Sequence, residues 1–92
     1  MALVLRLRVG DAVMIGGARR WELHRVVAPN EVLELKGPEG QIVEITDTRS
    51  AEIEPDVFAF VGNTTDVARV VFRAPRNISI VLEARAEEKP RR

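Results

Sequence analysis

A chain of 92 residues, 46% of them apolar, can bury one small hydrophobic core and is expected to form a single domain over residues 1–92. Fourteen Lys and Arg balance fourteen Asp and Glu, so the chain is neither a basic nucleic-acid coat nor an acidic mimic, and any charged surface must come from local segregation. The absence of Cys and the single His exclude disulfides, thiolate zinc sites, cysteine nucleophiles and any centre that needs two imidazoles.

Leu3, Leu5, Leu7 and Val9 alternate with Val4, Arg6 and Arg8, the period-two pattern of a strand with one face toward a core. Arg6 and Arg8 also cut the opening apolar run short of a secretory signal, so a cytoplasmic protein without a membrane partner is expected. A turn at Val9-Gly10-Asp11 leads to a short apolar strand, Ala12 to Ile15, ended by Gly16-Gly17, where the missing Cβ permits the positive φ of a tight hairpin. Trp21 to Val27 reads as a third strand. Val32 to Leu35 and Ile42 to Ile45 flank the turn sequence Gly37-Pro38-Glu39-Gly40 and make another hairpin.

Thr46 to Glu54 is polar and reads as a loop or short helical turn before Pro55-Asp56. Strands resume at Val57 to Val61 and Val67 to Arg73. Ala74-Pro75 is a bend, because proline has no amide hydrogen for a ladder, and Ile78, Ile80 and Leu82 mark the last strand. Glu83 to Lys89 is rich in helix formers and ends at Pro90, the pattern of a short C-terminal helix. About seven short strands joined by turns indicate an all-β fold of small antiparallel sheets. With so many exposed edges in so small a chain, a twofold homodimer is expected.

Charge is segregated along the chain. Residues 31–56 hold eight carboxylates against Lys36 and Arg49, a net charge of −6, and the remainder holds twelve cations against six carboxylates, a net +6. The sharper reading is a polyanion-binding frame interrupted by an acidic segment; the plainer one is ordinary solvated strand faces.

Other constellations carry less. His24 has no nucleophile beside it in sequence and reads as a strand residue. Asp47, Glu52, Glu54 and Asp56 lack the spacing of a calcium loop and read as a solvated acidic loop. Trp21, Phe58, Phe60 and Phe72 are expected in the core or a dimer interface, with base stacking as the alternative. No phosphate loop, nucleophile elbow or dinucleotide fingerprint is present in the sequence, so neither a catalytic residue, a metal nor a cofactor is expected.

Two segments resemble a known family. Arg8-Val9-Gly10-Asp11-Ala12-Val13-Met14-Ile15-Gly16, after Leu3-Val4-Leu5, resembles the opening of the carbon storage regulators, small bacterial RNA-binding translational regulators. Arg69-Val70-Val71-Phe72-Arg73-Ala74-Pro75-Arg76-Asn77-Ile78-Ser79-Ile80 resembles the fourth strand, Ala-Pro bend and fifth strand of that family, in the same order. The resemblance covers roughly residues 2–16 and 57–88, with 17–56 as an inserted β-hairpin region; a rival alignment uses Trp21 to Leu35 as the central hairpin and moves the insertion to 38–66.

The resemblance implies an intertwined, strand-exchanged homodimer that binds GGA motifs in mRNA leaders or small RNAs and modulates translation by blocking the ribosome. It carries Leu5, Arg8, Ala74, Pro75 and Arg76 over to family RNA contacts, with Arg6 and Arg85 as neighbouring cations. The family's two essential arginine positions fall on Leu7 and Leu82, and a one-residue slip in a strand turns a side chain to the opposite face. This substitution motivates a second expectation, a dimeric protein-interaction module whose partner docks on the acidic segment 31–56.

Overall fold

A computed structural model describes residues 2–29, 31–62 and 68–83. The described residues form nine strands and no helix: β1 (Ala2–Leu7), β2 (Ala12–Ile15), β3 (Arg19–Ala28), β4 (Val32–Lys36), β5 (Ile42–Thr46), β6 (Ala51–Glu54), β7 (Val57–Val61), β8 (Ala68–Arg73) and β9 (Ile80–Glu83). All pairings are antiparallel. They build a four-stranded sheet in the order β1-β8-β7-β6 and a five-stranded sheet in the order β5-β4-β3-β2-β9. The expected all-β, antiparallel character is therefore present.

The turns follow from local chemistry. Gly16 and Gly17 both adopt positive φ, 66° and 77°, and the Ala18 amide donates to the Ile15 carbonyl at 3.3 Å. These are the marks of a primed hairpin turn, whose twist matches the strands it joins. At the β1–β2 corner the Asp11 amide donates to the Arg8 carbonyl at 2.8 Å, and the Arg8 amide donates to Asp11 Oδ2 at 2.9 Å.

The core lies between the sheets. Leu7, Val70, Phe72, Val57 and Ala59 from one sheet meet Val13, Trp21, Leu23, Leu33, Leu35 and Ile45 from the other, all of them buried. Among the described residues no charged or polar side chain is buried with them. Val9, expected on the core face, is exposed, because β1 ends at Leu7 before the turn.

Two parts of the sequence reading are corrected. The polar stretch Thr46 to Glu54 is not loop throughout: Ala51–Glu54 is β6, paired with β7. Glu83, expected to start the C-terminal helix, is the last residue of β9, and residues 84–92 lie outside the described ones.

Register shifts in β3 and β6 decide which way key side chains point. In β6 the pairing moves from Glu52 opposite Phe58 to Glu54 opposite Val57. One extra residue reverses the alternation of faces, so Glu54 turns inward while Glu52 stays outside. Its Oε2 accepts the Trp21 indole N–H at 2.7 Å and Arg19 Nε at 2.9 Å, tying the two sheets together. In β3 a shift between Leu23 and Arg25 leaves His24 unpaired and sets Arg25 opposite Glu34.

Candidate nucleic-acid interface

The outer face of the four-stranded sheet follows from its register. One row runs Ala2, Arg73, Phe58, Glu52; the next runs Val4, Val71, Phe60; the third joins Arg6 to Arg69. Their alternation partners, Leu5, Leu7, Val70, Phe72, Val57 and Ala59, fill the core side. Three arginines, two half-buried phenylalanines and two valines thus share one face, and Val4 is 52% exposed on it.

Gly62 continues β7 beside the third row, and its amide donates to the Arg69 carbonyl at 2.6 Å. A Cβ there would sit 3.3 Å from Val71 Cγ2 and 3.4 Å from Arg69 Cβ. Glycine at this position therefore lets the end of β7 pack closely against Arg69 and Val71 of β8, where a side chain would crowd them.

The two sheets differ in how their cations are compensated. On β3 every arginine holds a carboxylate. Arg19 Nη1 reaches Glu39 Oε2 at 2.6 Å as well as contacting Glu54; Arg20 Nε reaches Glu83 at 2.7 Å and its Nη1 reaches Glu22 at 3.1 Å; Arg25 Nη2 reaches Glu34 at 3.1 Å. The bond from Arg19, then that from Gln41, holds the Glu39 carboxyl below its usual range, and the bond from Arg25 does the same to Glu34. The arginines rise in turn, Arg19 chiefly through Glu39 and then Glu54.

By contrast, among the described residues no carboxylate pairs with Arg6, Arg69 or Arg73. The one carboxylate on their face, Glu52, stands across β7 from Arg73, roughly 10 Å away at two strand spacings. The positive charge of Arg6, Arg69 and Arg73 is therefore not balanced by an ion pair among the described residues. A cleft of about 290 Å³ on the opposite sheet, lined by Ala18, Arg20, Glu22, Lys36, Gly37 and Pro38, offers less charge, because Arg20 is already neutralised by two glutamates.

The residues expected to contact RNA are divided by the fold. Arg6 lies on the outer face, whereas Leu5 lies on the inner face and packs against the core. Arg8 is exposed at the β1–β2 corner. Ala74 is buried, while Pro75 and Arg76 are exposed in a turn closed by the Ile78 amide donating to the Pro75 carbonyl at 3.1 Å. Arg85 lies outside the described residues.

Leu7 is 1% exposed in the core, so it cannot form an apolar docking patch with Leu82, which is 47% exposed on β9. The sequence reading did not single out Arg69 and Arg73, although their spacing with Val71 is the alternation of an outward face. Among the described residues no three His, Cys, Asp or Glu side chains are grouped to hold a metal ion. Glu54 serves Trp21 and Arg19, and Glu52 accepts the Asp56 amide at 2.9 Å. No helix among the described residues is long and apolar enough to cross a membrane. No family model, curated protein or solved structure matches the chain.

Proposed function

We propose that this protein binds RNA through the outer face of its four-stranded sheet and acts as a post-transcriptional regulator. The observation that carries the reading is the set of three arginines, Arg6, Arg69 and Arg73, sharing one face without a carboxylate partner among the described residues, in a chain of zero net charge. Elsewhere in the described structure, arginines on strands are spent on internal ion pairs. Cations left unpaired on a common face attract phosphate and release counterions when it binds. The resemblance to the carbon storage regulators supports RNA as the polyanion and a GGA-bearing leader as the target, with translation blocked by occupancy of the ribosome's landing site.

A homodimer belongs to the same proposal. β1 and β9 are sheet edges, and Leu82, opposite the buried Val13, keeps 47% of its surface in solvent despite facing the core side. Leu3, Leu5 and Ile80 are only partly buried nearby. A second copy exchanging edge strands covers these groups and removes two open edges. The protein-interaction alternative is weaker, since Leu7 is unavailable to a partner.

The test is a titration of the purified protein with a hairpin RNA presenting GGA in its loop, beside a loop-scrambled hairpin, at two salt concentrations. Loop-dependent binding that weakens with salt is expected. Absence of binding to either hairpin at low salt refutes the proposal.

A further inference from the structure

Phe58 and Phe60 are the alternate, outward residues of β7, and each lies directly opposite a β8 residue of the same face, Arg73 and Val71. Both rings keep part of their surface in solvent, in a small protein that buries Phe72 and Trp21 almost completely. Two residues along a strand separate them by roughly 6.8 Å, about twice the 3.4 Å rise per nucleotide of a stacked strand. Two bases stacked on one another cannot each lie on one of these rings. Each ring takes its own base only if the two bases are splayed apart, which a duplex does not allow.

The cations bracket the rings. Arg73 stands beside Phe58, and Arg6 and Arg69 form the row beyond Phe60. Arg69 and Arg73 are four residues apart on β8, roughly 13 to 14 Å, long enough to reach phosphates on both sides of two splayed nucleotides. The only other polar side chain in these rows is Glu52 at the far edge. An aromatic pair between cations holds nucleic acid by stacking and phosphate contact, the chemistry of single-strand binding.

Resting on the RNA-binding reading above, we infer that Phe58 and Phe60 form a two-base stacking platform, and that this face selects unpaired, splayed nucleotides over duplex RNA. The full-length protein is titrated at low salt with three 12-nucleotide probes: an unstructured RNA of mixed sequence, the same RNA paired with its complement, and a ribose-phosphate chain of equal length without bases. Stacking of two bases predicts that the unstructured RNA binds at least about 30-fold more tightly than the abasic chain, and more tightly than the duplex.

The Phe58→Leu/Phe60→Leu variant, with its urea midpoint checked against the wild type, should lose at least about tenfold in affinity for the unstructured RNA. Equal wild-type affinity for the base-bearing and abasic chains overturns the platform and leaves phosphate binding in place. Failure of all three probes to bind overturns the platform together with the reading on which it rests.

Discussion

Replacing Leu7 by arginine, and separately replacing Leu82 by arginine, probes the placement of β1 with a large and opposite expectation at two otherwise similar leucines. Leu7 is 1% exposed and belongs to the central apolar cluster, in which the described residues include no buried acid to accept a guanidinium. Loss of a buried leucine costs about 2 to 5 kcal/mol, and an unpaired buried cation adds several more. A domain of this length has a total stability of roughly 5 to 14 kcal/mol, so the Leu7→Arg protein should be largely unfolded at 25 °C. Leu82 is 47% exposed on an edge strand within one subunit, so its replacement weakens the proposed dimer contact but should cost far less than that of Leu7. The chain has one tryptophan, Trp21, which is 2% exposed, so its fluorescence in a urea titration reports the global transition. A Leu7→Arg protein whose midpoint matches that of Leu82→Arg would refute the inward placement of Leu7 and return the family's first-strand arginine position to the surface.

The inter-sheet contact at Glu54 makes a second prediction. Glu54→Ala leaves the buried Trp21 N–H without its acceptor, costing about 1 to 3 kcal/mol in urea unfolding, while Glu54→Gln, which keeps an acceptor oxygen, costs less. Acid sensitivity supplies a third. Glu39 and Glu34 are held below the ordinary glutamate value of 4.5 by Arg19 and Arg25, so the unfolded chain takes up protons before the folded one. Their contribution is complete above about pH 5 and is lost as pH falls through 4.5 toward the depressed folded values. Urea midpoints from pH 7 to 3 should show this decline, and Glu39→Gln should flatten it; a Glu39→Gln curve parallel to the wild type would contradict the role of the Arg19 pair.

Much of the fold is legible in the sequence because its signals are local. The alternation of Leu3, Leu5 and Leu7 marks β1, the Gly16-Gly17 pair marks the tight turn, and Pro38-Glu39-Gly40 marks the β4–β5 connection. β6 is hidden because the polar run before it masks the alternation in Ala51-Glu52-Ile53-Glu54, and because only pairing with β7 makes a strand of it. The register shifts are also hidden: nothing local says that Glu54 turns inward to Trp21 or that Arg25 meets Glu34.

The candidate site was legible only in part. Counting charges along the chain separates an acidic middle from a basic frame, but electrostatics in the folded protein depends on which charges meet. Arg19 and Arg25, members of the basic frame, are consumed by Glu39 and Glu34 of the acidic segment. Arg6, Arg69 and Arg73 are left together by the β1–β8 pairing, a contact between strands that lie at opposite ends of the chain. Arg69-Val71-Arg73 carries the right period, yet period alone does not name the neighbouring strand.

The salt dependence of RNA affinity in two charge-removal variants separates the outer face of β1 and β8 from the paired cations of β3. One, Arg6→Gln/Arg69→Gln/Arg73→Gln, strips the cations that pair with no carboxylate among the described residues; the other, Arg20→Gln/Arg25→Gln, strips cations already paired with glutamates. With unpaired RNA each phosphate contact contributes about 0.7 to the slope of log affinity against log salt. Loss of three contacts should reduce that slope by about 2 and weaken binding, while the paired-arginine variant should keep a slope within about 0.5 of the wild type. Equal slopes in the wild type and the triple variant would contradict the assignment of the outer face of β1, β8 and β7 as the RNA-binding surface.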